Sequence, residues 1–265
     1  MKPSRVVAVA FITLLVPRLA FPSPQTTVPA SLFQDIKSPD WMRRADGYAA
    51  MEQNQEGMRH SDVQKALVEL LDRENHVLHQ TLVESNGEVG VAIKYGEDYG
   101  DYYSKLLNTV FDIADWNDQR QVCVVAQGGY DPASPFAAGL VSKGGAIVAS
   151  CLIKLAQSRY EFDRYQSIPV LVQLSAVIAD LQPKVRDEIR QATISGLRDP
   201  SVSVRHVIVR AVGKFGTPEL IPVLQDLARS DPYSEPINDG KDQRFEIREL
   251  AREAVQSIQE RAKAQ

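Results

Sequence analysis

An all-α solenoid is the fold class that this sequence predicts, and three observations predict it. Apolar residues recur at spacings of three and four in two neighbouring blocks over residues 199–232. The first block reappears near the C-terminus at a fixed offset. An arginine stands early in such blocks at intervals close to forty residues.

The stretch DPSVSVRHVIVRAVGKFGTPELIPVLQDLARSDP carries the pair most clearly. Asp199 is expected to cap the first helix and Pro200 to sit in its first turn, where a missing N–H costs nothing. Val204, Ile208, Ala211, Val212 and Phe215 then share one helical stripe. Gly216 can end the helix, and Thr217-Pro218-Glu219 can begin the next. Its stripe is Leu220, Ile221, Leu224 and Leu227. Each helix presents a wider apolar face than its partner can hide, so the pair must lean on another pair.

The repeats supply that neighbour. VRHVIVRAVGKF (204–215) lies over IRELAREAVQSI (247–258): Val204 matches Ile247, Arg205 matches Arg248, Ala211 matches Ala254 and Phe215 matches Ile258. Arg164, before Ser167, Val170 and Leu171, precedes Arg205 by 41 residues, and Arg248 follows it by 43. Arg120 stands a further 44 residues back, before Cys123 and Ala126. Arg44 stands 76 residues before that, a gap with room for one divergent unit. Turn prolines Pro39 and Pro200 precede two of these arginines. Two helices per period of about forty residues is the signature of an α-solenoid.

This pattern resembles the HEAT-repeat family, including its PBS-lyase-type repeats. The likeness is strongest over 181–258, extends to 38–75 and loosens over 76–180. Family repeats commonly carry an aspartate and an arginine that form a ladder between units. The resemblance assigns those roles to Asp199 and Arg205, with Arg248, Arg164, Arg120 and Arg44 at corresponding places. The di-iron hydroxylases of similar architecture use repeated His-Glu pairs. No His-Glu dipeptide occurs here, so that chemistry is not carried over.

Residues 1–30 read as a signal peptide and tether, and 31–265 as the HEAT-like domain. Lys2 and Arg5 precede an apolar run from Val6 to Val16, which Pro17 and Arg18 stop. The run is short for a bilayer and of signal-peptide length. Residues 1–30 hold three of the 30 basic side chains and none of the 34 acids, so the remainder is net −7. Such a surface repels phosphate backbones, which speaks against nucleic-acid binding. Cys123 and Cys151 are expected on the two helices of one unit, as a disulfide in an oxidising compartment or as small buried hydrophobes.

Candidate chemistry is sparse. His76 and His79 are three residues apart, with Glu74 and Glu84 nearby, but a metal centre needs three or four converging ligands. GLVSKGGA (139–146) lacks the ending of a phosphate-binding loop and reads as close helix packing, with a break at Gly144-Gly145. SNGEVGVAIKYGEDYGDYYSKL (85–106) carries Tyr95, Tyr99, Tyr102 and Tyr103 among glycines and acids, a mixture common in binding loops. It reads also, and somewhat better, as a long connection whose tyrosines lie on the next repeat. GGYDPASPF (128–136) is a second loop.

The expectation is an exported stack of about five helix pairs with a C-terminal helical cap. Its expected task is non-enzymatic binding of a protein or peptide partner. No cofactor, metal, nucleic acid or integral membrane span after processing is expected. The four tyrosines are the expected contact residues. The alternative is an enzyme or enzyme subunit whose solenoid frames a small-substrate pocket.

Overall fold

The computed structural model describes residues 29–54, 57–85, 94–179, 181–238 and 241–264. The expected signal segment up to residue 28 and residues 86–93 of the tyrosine-rich stretch lie outside the described residues. Helix α1 (Ala30–Asp35) leads into α2 (Trp41–Glu52) and α3 (Ser61–Ser85). There follow α4 (Glu97–Ile113), α5 (Gln119–Ala126), α6 (Pro135–Ala156), α7 (Glu161–Val177) and α8 (Pro183–Leu197). Helices α9 (Val202–Phe215), α10 (Ile221–Ser230) and α11 (Glu246–Ala264) complete the order. Neighbouring helices bury one continuous core that runs from Ile36 to Ile258.

The pair read first from sequence is α9 and α10. Val204, Ile208 and Val212 are fully buried, and Gly216 caps the end of α9. The start differs from expectation. Ser201, not Asp199, caps α9, and Pro200 lies just outside the helix. Asp199 instead accepts the Ser201 N–H, an Asx turn that frees the carbonyls of residues 199 and 200 for another partner. The C-terminal helix α11 buries Ile247, Ala251, Ala254 and Ile258 against α9 and α10 and leaves its other side charged, as a cap requires. Between α10 and α11 lies a short antiparallel pair, β1 (Glu235–Ile237) with β2 (Asp242–Arg244).

One arginine geometry recurs between the helix pairs. Arg44, Arg164 and Arg205 are each the fourth residue of their helix. In each, Nη1 donates to the carbonyl six residues back, Ser38, Ser158 or Asp199, at 3.1, 2.9 and 2.8 Å. Nε and Nη2 fork onto a carboxylate further along the chain: Glu74, Asp199 or Asp231. Asp199 therefore takes Arg164 on its side chain and Arg205 on its backbone. Asp231 repeats this, with Arg205 on its side chain and the Arg248 Nε on its backbone at 2.7 Å. The rungs run without interruption from α7 to α11.

Arg120 does not belong to this ladder. It is the second residue of α5, about 200° around the helix from the fourth position. Its side chain is 65% exposed, with Asp72 at 3.9 Å. Where a divergent pair was expected after α3, helix α4 packs on α2 and α3.

In the middle unit a disulfide joins Cys123 on α5 to Cys151 on α6. Helix α6 is broken at Gly145, whose φ of +49° a side chain would disfavour. Among the described helices α6 alone is long and apolar enough to cross a membrane, and half of that stretch is buried inside the protein.

Candidate functional site

The tyrosines of the 85–106 segment do not lie on an exposed loop. From Glu97 onward it is helix, and Tyr99, Tyr102 and Tyr103 are buried. Their assignment as partner-contacting residues is corrected accordingly. Tyr99, Tyr103, Leu106 and Val110 follow the helical spacing that turns one face into the core. Tyr95 is half-buried, and its ring stacks on Tyr99 with centroids 4.9 Å apart.

These rings enclose a carboxylate. Glu74 is 0% exposed and takes four hydrogen bonds. Two come from Arg44, at 2.5 and 3.0 Å; Tyr99 and Tyr102 donate the others at 2.9 and 3.0 Å. A buried carboxylate is tolerable when it is so paired and bonded. Burial would lower the Arg44 basicity, but the bond and charge of Glu74 outweigh it and hold the guanidinium pKa above its ordinary value. Burial first, then the Glu74 charge, pushes Tyr99 and Tyr102 up, so both phenols are neutral donors.

Tyr103 turns the other way. Its hydroxyl donates to Asn75 Oδ1 and accepts the Gly129 N–H, both at 2.6 Å. Asn75 in turn donates to the Val124 carbonyl at 2.8 Å. These bonds tie α4, α3 and the turn after α5 together. A Cβ on Gly129 would come within 2.7 Å of Leu78 Cδ2, so a larger residue at this turn would require the Leu78 side chain to move.

The tied elements form one wall of a cleft of about 570 Å³. Asn75, Leu78 and His79 of α3 face Gln127, Leu155 of α6, Tyr160 and the first turn of α7, with Phe162 and Asp163. Its size and mixed lining are those of a ligand site. His76 lies at the edge, its ring bonded back to the Asp72 carbonyl. His79 stands edge-on to Tyr160, with centroids 4.5 Å apart. Its Nε2 lies 3.7 Å from Asp163 Oδ1, too far for a hydrogen bond, and has no hydrogen-bond partner among the described residues. Asp163 is only 6% exposed, and among the described residues its carboxylate accepts no hydrogen bond. The adjacent Arg164 is spent on Asp199. His79 was visible in the sequence. Asp163, 84 residues away on a different helix, carried no signal connecting the two.

Among the described residues, no three His, Cys, Asp or Glu side chains gather as a metal-ion site. The helical pairs, their period and the arginine rungs agree with what a comparison of families finds. Residues 149–238 match HEAT repeats. The HEAT-matching stretch covers the rungs from Arg164 to Asp231 and starts earlier than the 181–258 span in which the sequence resemblance is strongest. Comparison with curated proteins finds no match. Among solved structures, the chain is similar to a set of computationally designed armadillo repeat proteins for modular peptide recognition. The identity is 13% and the TM-score 0.40, over 86% of this chain and 98% of that one.

Proposed function

We infer that the protein is an exported repeat scaffold that binds a protein or peptide partner and performs no chemistry of its own. The observation that carries this reading is the ladder. From Arg164 to Asp231 the buried charges are consumed in holding unit to unit, which leaves a rigid, extended stack of the kind that presents a surface. The Cys123–Cys151 disulfide supports an oxidising compartment, in keeping with the basic and apolar N-terminal run.

Two measurements test it. The full chain, expressed in its source cells and crosslinked before lysis, is expected to co-purify one partner in fixed ratio. The partner-bound protein is expected outside the cytoplasm, with its first residues removed and its disulfide closed. A protein that stays uncrosslinked and cytoplasmic overturns the reading.

A second reading, an enzyme or enzyme subunit, is favoured by one observation, the placing of His79 beside Asp163 in the cleft between α3 and α7. A general base needs such an orienting carboxylate. Turnover of chromogenic esters, phosphates or glycosides by the full chain, abolished in His79→Gln, would establish it. Equal background in both proteins excludes hydrolysis of these classes.

A further inference from the structure

We propose that the cleft between α3 and the start of α7 receives a lysine side chain of the bound partner, with Asp163 and His79 as its receptors. The proposal rests on the scaffold reading and names the chemistry of one contact in it. Its basis is an acid and an imidazole that face each other across the cleft without a hydrogen bond between them. Asp163 is more than nine-tenths buried, lines the cleft and accepts no hydrogen bond among the described residues. Its oxygens open onto the cleft, where a charge-assisted bond from an arriving cation is stronger than one in bulk water. The cations nearby do not serve. Arg164 forks onto Asp199, and Arg159 lies over the Tyr160 ring and bonds its hydroxyl.

The second receptor fixes the donor type. His79 Nε2 is buried 3.7 Å from Asp163 Oδ1 and makes no hydrogen bond among the described residues. With its proton on Nδ1, the imidazole offers Nε2 as an acceptor. One donor nitrogen can then sit about 2.9 Å from both atoms, a charge-assisted contact. An ammonium supplies several hydrogens from a single atom, which suits two acceptors this close. Leu78, Leu155 and Phe162 line the same cleft and would cover the methylene stem of a lysine. The volume of about 570 Å³ leaves room for flanking peptide.

The test uses the full chain and random dodecapeptides displayed on phage, followed by synthesis of the enriched sequences. The expected result is enrichment of lysine at one position. Acetylating that lysine should weaken binding at least about tenfold, and so should Asp163→Asn, which removes the charge at constant shape. Acetylation needs no protein variant, so the proposal can fail even if Asp163→Asn does not fold. Enriched peptides that lack a common lysine, or that tolerate both its acetylation and Asp163→Asn, overturn the lysine site and leave the scaffold standing. No enrichment at all overturns both.

Discussion

At the residue scale, Glu74 shows how a charge can be kept in an apolar core. Four donors surround it, and each is itself anchored, so removal of the charge leaves Arg44 buried without a counter-ion. Glu74→Gln is therefore expected to lower unfolding free energy by about 3–5 kcal/mol in a urea titration. The paired replacement Arg44→Met with Glu74→Leu should cost far less, because no charge is then stranded. A Glu74→Gln loss below that of the double variant would show that the carboxylate is not needed for pairing. The phenols give a second expectation. Burial pushes Tyr48 up to about 12 and also raises Tyr99, Tyr102 and Tyr103. The folded state thus holds these protons more tightly than the unfolded chain, where tyrosine ionises near pH 10. Their contribution is complete below about pH 10 and is lost as pH rises towards about 12. Tyrosinate absorbance and helical circular dichroism should therefore change together above pH 10. Ionisation of all the tyrosines with the helix signal intact would contradict the burial.

At the element scale, position along a helix decides whether a repeat arginine matters. Arg205 is a fourth residue and clamps two carbonyls and a carboxylate, whereas Arg120 is a second residue and faces solvent. Arg205→Ala is expected to destabilise by about 3 kcal/mol or more, seen as a lower melting temperature, and Arg120→Ala by less than about 0.5 kcal/mol. Equal effects would remove the distinction. The sequence spacing alone put both arginines in one series, since a two-residue change in helix start leaves the offset near forty. Helices α9 and α10 were legible because their apolar residues recur at helical spacing and are framed by Ser201, Gly216 and Pro218. Helix α4 was obscured because Gly96 and Gly100 flank Tyr99 and tyrosine serves loops and cores alike. Its core face was nevertheless written in Tyr99, Tyr103, Leu106 and Val110. The rung from Arg44 to Glu74 was hidden for another reason: its acid lies inside α3, not at a turn as Asp199 and Asp231 do. The His79–Asp163 pairing depends on how α3 meets α7 across the stack, which no local pattern encodes.

At the scale of the whole molecule, each unit depends on its neighbours, and the units are not equally secured. Only the middle one is covalently closed, by a disulfide across 28 residues. The loss of chain entropy in the unfolded state predicts about 3–4 kcal/mol of stability from that closure. Reduction, or Cys123→Ser with Cys151→Ser, should lower the urea midpoint accordingly while leaving the helix content of the folded protein unchanged. An unaltered midpoint would mean that packing alone secures α5 against α6. The same bond also makes the stack a spring with a fixed centre. Pulled from its two ends, the chain can yield unit by unit from α2 inward and from α11 inward, but the residues between Cys123 and Cys151 cannot pay out. A fully stretched oxidised molecule would stop about 95 Å short of a reduced one, a difference that a single-molecule force trace would read as missing contour length.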